Sequence, residues 1–352
     1  MKETFSNQSL TYIELVTTMP SIMITIFVLL SVPISNRIGS KKTVIIGLII
    51  SLISGVVPVF IQNFTLILLS RAGLGIGFGL FNSLAISLIN DFFTGNERVQ
   101  MIGFQSAFQG LGSAALTFLA GQFLKVHWQL SFAVYFIMLP ILALFILFVP
   151  NPPKKEKEEK QKSSIQTNMI KYVVLICVSL MVYNAIFLKI PTLMVEKNIG
   201  TAVNASLILT IVQSGSMITG FIFERIHRIV KRNVLPLAII LMASSFAVIS
   251  IATSYYVIAI CATIAGISFS LLTPYLFNRA AEISTPENQS LSTSLLIVGA
   301  QLAGFISPYF LALISNIPLL SLQVSQVFLS GSIVLVIVLA SILIYRNKFS
   351  KS

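Results

Sequence analysis

Eleven apolar runs, almost uninterrupted, divide this chain and limit what it can fold into. They lie at approximately 11–32, 43–61, 65–90, 101–124, 129–149, 171–192, 201–223, 233–252, 255–277, 290–314 and 322–345. Each is close to the ~20 residues that a helix needs to cross ~30 Å of hydrocarbon. Within each run the apolar character is nearly continuous, which suits helices and not the alternating strands of a barrel. Only 10% of the residues are charged and 56% are apolar, whereas about 25% are charged in an ordinary soluble domain. That excludes a soluble enzyme, a nucleic-acid-binding domain, a coiled coil and a disordered tail. The expected fold is an all-α polytopic membrane bundle with eleven visible transmembrane helices.

The net charge of +12 would suit a nucleic-acid partner if the basic residues were clustered on one domain. They sit instead in short loops between the apolar runs. With the loop at 33–42 assigned to the cytoplasm, eighteen of the 23 Lys and Arg fall in inside loops or the C-terminal tail. These include Arg37, Lys41, Lys42, Arg98, six lysines between 154 and 171, Arg225, Arg228, Lys231, Arg232 and Arg279. The outside segments hold only Lys2, Lys125, Lys189 and Lys197, and Arg71 lies within a span. This positive-inside bias predicts a cytoplasmic C-terminus in a multi-pass protein of the plasma membrane. It also puts residues 1–10 outside without a signal peptide, so a further helix before Met1 is expected. Cys177 and Cys261 both lie in apolar runs and build no disulfide framework.

The hydrophilic stretch Asn151–Gln166, with Pro152, Pro153 and the run Lys154 to Lys162, reads as a flexible cytoplasmic linker. The predicted organisation is a five-span bundle over 1–149, a linker over 150–170, a six-span bundle over 171–345 and a tail over 346–352. The two bundles share a signature. Val32-Pro-Ile-Ser-Asn36-Arg37-Ile38-Gly39-Ser40-Lys41 follows the first run, and Gly220-Phe-Ile-Phe-Glu224-Arg225-Ile226-His227-Arg228 follows the seventh, 188 residues later. Each places a polar-Arg-Ile triplet at a cytoplasmic helix end ahead of further basic residues. Such internal repetition fits transporters built from two related halves.

At these residues the chain resembles the major facilitator superfamily. The family's loop motif, G-x-L-A-D-R-x-G-R-K, lies on 32–41 with Arg37, Gly39 and Lys41 kept, while Val32, Asn36 and Ser40 depart from it. Gly220 and Glu224 keep in the second copy what the first has lost. Arg71-x-Gly73-x-Gly75-x-Gly77-x-Gly79 looks like the family's helix-4 motif. Gly103, Gly112 and Gly121 match the antiporter motif of helix 5, where Leu116-Thr117 replaces Gly-Pro and Ala120 replaces Gly. The resemblance implies two six-helix halves around a central cavity near the midplane, so the visible spans would be helices 2 to 12. It also implies a secondary transporter working by alternating access, with inter-half charge contacts at the loop motif. With Asn36 in place of the acid, that clamp would shift toward the loop Asp91–Arg98, onto Glu97 and Arg98.

Several polar residues inside the spans are candidates for substrate or coupling roles. Arg71 stands about six residues inside its helix, ~9 Å at 1.5 Å per residue. An intramembrane Arg costs at least ~2.5–3.5 kcal/mol on insertion scales, so it should face a wet cavity or a partner. The alternative is that it snorkels outward. Glu14 is the only acid well inside a span. Desolvation opposes its charge and a nearby Arg favours it, so alternating Glu14–Arg71 pairing would act as a proton switch. The i, i+4 pairs Gly73/Gly77 and Gly75/Gly79 point to close helix packing. Asn82 shares a face with Arg71, and Gln105 and Gln109 share one with Gly112. Tyr183, Asn184, Gln213, Thr273 and Gln301 are uncharged polar groups at mid-span depth, where they need partners. Pro274 and Pro308 allow kinks, and His127 and His227 fall in loops.

No phosphate loop is present: Gly39-Ser40-Lys41-Lys42-Thr43 has the wrong order, and the glycines at 73–79 follow no strand. No His/Cys/acid cluster suits a metal, no nucleophile–base–acid set is visible, and no cofactor is expected. The reading is a non-enzymatic, proton-coupled antiporter that exports drugs or small metabolites. Its partners would be a small-molecule substrate, protons and the lipid bilayer, with no nucleic acid, and it would act as a monomer. Low charge within the spans suits an amphipathic or weakly polar substrate. The alternatives are an uptake carrier for a sugar or organic anion, using Arg71, and an inactive N-terminally truncated fragment.

Overall fold

The computed structural model describes residues 4–5, 7–93, 95–152, 167–284, 289–315 and 324–344. Most of the expected linker and the C-terminal tail fall outside the described residues, as do the surroundings of Arg98 and Gly103 within their helix. The helices are α1 (Leu10–Ile38), α2 (Ser40–Phe60), α3 (Phe64–Phe92), α4 (Gly95–Phe123), α5 (Met138–Phe148) and α6 (Thr167–Tyr183). They continue with α7 (Ala185–Glu196), α8 (Ala202–Val230), α9 (Val234–Ile251), α10 (Tyr255–Ile283), α11 (Gln289–Ser315) and α12 (Ser325–Ile344). Two 3-10 helices, Trp128–Ile137 and Lys231–Asn233, complete the elements, and no strand occurs among the described residues. Ten helical stretches there are long and apolar enough to cross a membrane, and α4 occupies the place expected of an eleventh. The protein is an all-α polytopic membrane protein.

Two compact units are present. The first comprises residues 1–112 and 122–160, and the second comprises 113–121 and 161–352. In the first unit α3 lies against both α1 and α2, and its glycines make this possible. Gly73 and Gly77 face α2: a Cβ on Gly77 would stand 2.5 Å from Gly47 O and 2.8 Å from Ser51 N. Gly75 and Gly79 face α1, where added Cβ atoms would stand 2.7 Å from Met23 Cβ and 2.7 Å from Phe27 Cβ. The stagger of two residues turns the second pair about 200° from the first at ~100° per residue. One helix can therefore pack closely on two sides.

In the second unit a contiguous core runs through α6 to α12, with Phe246, Phe328, Ile186, Ile208 and Ile239 fully buried. Lys197 closes α9 from outside that helix: its Nζ donates to Ser250 O at 3.1 Å and Ala252 O at 2.9 Å. Those carbonyls stand at the C-terminal end of α9, where helical partners run out.

Two runs expected to be uniform helices are not. The run at 129–149 opens as the 3-10 helix Trp128–Ile137 before becoming α5. Pro140 has no N–H to donate to Phe136 O, so an α-helical ladder cannot cross this point unbroken. The run at 171–192 divides at Asn184 into α6 and α7. The ladder survives there, since Asn184 N donates to Leu180 O at 2.9 Å and Asn184 O accepts from Leu188 N at 3.0 Å. Lys189, counted above with the outside segments, lies within α7 and is buried. The apolar stretch continues past it to Glu196.

Candidate functional site

The α1–α2 connection is a single residue. Gly39 takes φ +92°, a conformation that side-chain-bearing residues avoid. It is the C-cap of α1, donating to Ser35 O at 2.8 Å, and its own carbonyl accepts from Thr43 N at 3.1 Å. Two residues on, Lys41 donates from Nζ to Ile146 O at 3.1 Å, near the C-terminal end of α5. The loop motif thus joins α2 to α5 within the first unit, while Arg37 is exposed. In the second copy Gly220, Glu224 and Arg225 are all exposed on α8. Glu224 pairs with Arg228 on its own helix at 2.8 Å. Position 227 would match Gly39 in the repeat, yet α8 runs on to Val230 and Lys231 takes the positive φ of +52°.

Arg71 is buried at 2% exposure. Its Nη2 donates to Ser54 O at 3.0 Å and to Gly55 O at 3.1 Å, both on α2. The guanidinium carbon lies 4.7 Å from the Phe132 ring centroid and 5.2 Å from that of Tyr135. The Ser54 contact has a cause readable in the chain. Ser54 O would ordinarily accept from the amide four residues ahead, and that residue is Pro58, which has none. Arg71 supplies the missing donor from the next helix. Its cation is held by backbone dipoles and aromatic faces, and it does not snorkel to the surface. Gly55 permits the arrangement, since any Cβ there would run into Tyr135.

Glu14 is buried at 6%, with Thr18 one turn further along α1. The Gly75 and Gly79 contacts match rising positions on α1 with rising positions on α3, so the two helices run in the same direction. That register puts Glu14 and Arg71 within about one helical turn of each other along the axis. Asn82, lower on α3, is exposed. Gln105 is half-buried and Gln109 is exposed on α4.

In the second unit, two of the uncharged polar candidates, Tyr183 and Asn184, stand at the junction of α6 and α7. Tyr183 stacks on Phe269 of α10, with centroids 4.2 Å apart and planes 6° from parallel, and meets Phe187 edge-on at 5.6 Å. Asn184 donates from Nδ2 to Ser307 Oγ at 2.7 Å, and the Ser307 hydroxyl donates in turn to Ala303 O at 2.6 Å. Gln213 on α8 donates to Thr117 Oγ1 at 2.7 Å. Thr117 belongs to the segment of α4 grouped with this unit. Thr273 donates to Phe269 O of its own helix at 3.1 Å, and Gln301 is half-buried on α11. The sequence reasoning missed Ser54, Pro58, Phe132 and Tyr135 around Arg71, and Phe269 and Ser307 in the second unit. Pro58 was the available signal, because a proline inside an apolar run announces a carbonyl that needs a donor.

The sequence profile described as Major Facilitator Superfamily matches residues 1–308 and, in a second overlapping match, 173–352. The chain belongs to the major facilitator superfamily. As a member it is a multi-pass secondary transporter of small molecules. Among solved structures, this superfamily protein is similar to a bacterial homolog of the human lysosomal transporter Spinster, crystallised in an inward-facing and occupied conformation. The two share 15% identity over 97% of each chain, with a TM-score of 0.70. At that identity the likeness speaks to the fold alone. No curated protein matches the chain.

Proposed function

We propose that this superfamily member is a proton-coupled exporter of drugs or small metabolites in the plasma membrane, with its C-terminus in the cytoplasm. The observation that carries the coupling is the burial of Glu14 and Arg71 on two helices of one unit that pack side by side. A carboxylate withdrawn from water in a span tolerates its charge only with compensation. A change in its distance from Arg71 during alternating access would therefore release or take up a proton. The substrate class rests on the second unit, where the uncharged polar groups Tyr183 and Asn184 at the α6–α7 junction stand beside the rings of Phe187 and Phe269. Uncharged amide and hydroxyl groups whose hydrogen bonds are made within the unit, set beside aromatic surface, suit an amphipathic, weakly polar solute. Anion uptake through Arg71 draws less support, because one guanidinium nitrogen already serves two backbone carbonyls.

The test is transport by reconstituted protein across an imposed pH gradient, screened with amphipathic cations, neutral drugs and small metabolites. Dissipating the gradient should abolish concentrative export. Glu14→Gln should leave exchange of substrate down its own gradient intact while removing the dependence on pH. Retained pH dependence in Glu14→Gln would sink the relay, and saturable uptake of a carboxylate that is lost in Arg71→Ala would favour the carrier reading instead.

A further inference from the structure

On the outer surface of the second unit, α6 and α12 enclose a groove of about 340 Å³. That lies within the range of about 300–1,000 Å³ common for small-molecule sites. Its walls are aliphatic: Val174 and Val178 come from α6, Val338 and Ile342 from α12. Val174 is 54% exposed, and both helices are membrane-spanning, so the surroundings of this groove are lipid. The groove is polar at one end only, where α6 begins and α12 finishes. Lys171 and Ser341 stand there, and both are exposed. The Ser341 hydroxyl donates to Val338 O at 2.7 Å, and Lys171 carries the charge at the mouth. From Lys171 to Val178 the groove follows α6 for seven residues, or about 10 Å along the axis.

A slot parallel to the spans, aliphatic along its length and cationic where it meets the membrane surface, has the polarity of one phospholipid. We propose that this groove is a binding site for an anionic phospholipid, with an acyl chain along Val174, Val178 and Val338 and the phosphate at Lys171. The long lysine stem keeps to the apolar wall while the ammonium reaches the headgroup level. The site is a property of the second unit and is independent of which solute is carried or whether protons drive it.

The experiment titrates the purified full-length protein with phosphatidylglycerol or with phosphatidylcholine of the same chain length, and counts bound lipid by native mass spectrometry. The unaltered protein should prefer phosphatidylglycerol. Lys171→Gln should weaken phosphatidylglycerol binding about 5-fold, the contribution of one basic residue near an anionic lipid surface, and leave phosphatidylcholine unaffected. Lys171→Arg should retain the preference. Val174→Trp, which fills the slot at an exposed position, should reduce binding of both lipids. Lys231→Gln, an exposed lysine elsewhere on the same unit, should change neither. Equal binding of the two lipids by the unaltered protein would overturn the proposal. So would a loss in Lys231→Gln equal to that in Lys171→Gln, or unchanged binding in Val174→Trp.

Discussion

Arg71 and Pro58 should be thermodynamically coupled although they lie on different helices. Replacing Arg71 with Met removes the charge-assisted hydrogen bonds to Ser54 O and Gly55 O, each worth about 1.5–3 kcal/mol, and two ring contacts worth about 0.5–2 kcal/mol. It also leaves Ser54 O, deprived of its helical donor by Pro58, part-buried and unpaired at a cost of about 1–3 kcal/mol. Against these stands the relief of no longer desolvating a cation, itself several kcal/mol, so the single variant alone decides little. A double-mutant cycle isolates the part that matters. Pro58→Ala restores an amide that can donate to Ser54 O, and in that background Arg71→Met no longer orphans the carbonyl. Desolvation and ring contacts are common to both legs and cancel. The loss on Arg71→Met should therefore be about 1–3 kcal/mol smaller in the Pro58→Ala background. Reversible unfolding in mixed micelles, followed by circular dichroism against denaturing detergent, measures all four corners. Additivity within about 0.5 kcal/mol, the scatter expected of independent sites, would refute the claim that Arg71 substitutes for the proline's missing donor.

Two glycines of similar appearance should respond in opposite directions. Gly77→Ala forces its methyl onto backbone atoms of α2 and should destabilise by about 1–3 kcal/mol. Gly112→Ala meets nothing within 4 Å and should stabilise α4 by about 0.5–1 kcal/mol, both read as shifts in the same micelle unfolding curves. At the two positive-φ turns the signs also differ. Gly39→Ala should cost about 1–2 kcal/mol, and Lys231→Gly should gain up to about 1 kcal/mol; fluorescence-monitored thermal melts would show both. Burial holds the Lys197 ammonium below the ordinary lysine value. Its folded pKa is thus lower than its unfolded one, so the unfolded state binds more protons between the two, and stability rises with pH through the window just below 10.5. Lys197→Met should flatten that rise just below pH 10.5 while lowering the melting temperature at pH 7, where the Ser250 and Ala252 carbonyls lose their donor; an unaltered pH slope would count against the burial argument.

How much of this was legible before folding depends on the range of the interaction concerned. Crossing a bilayer requires only local chemistry, enough consecutive apolar residues with internally satisfied backbone, so the spans could be read directly and most hold as helices. Pairwise spacing on one helix is equally local. The pairs Gly73/Gly77 and Gly75/Gly79 announce two close-packed faces, although not that α2 takes one and α1 the other. Partner identity is a different matter, because it depends on which segments meet in space. Arg71 looked like a cavity cation because its depth in α3 was visible and the carbonyl it serves was not. Lys189, near the end of the run at 171–192, was counted with the outside segments because nothing nearby showed that the helix would continue to Glu196. His227 read as a loop residue, yet α8 runs through it to Val230 and the positive φ falls at Lys231, since one further turn of α8 preserved its ladder at the expense of one strained residue. The chain alone determined that this is a two-part helical membrane protein with scarce, meaningful charges inside it. Only tertiary structure decided what each charge answers to, because a buried polar group is satisfied by whatever atom packing brings within 3 Å, and sequence distance does not constrain that atom.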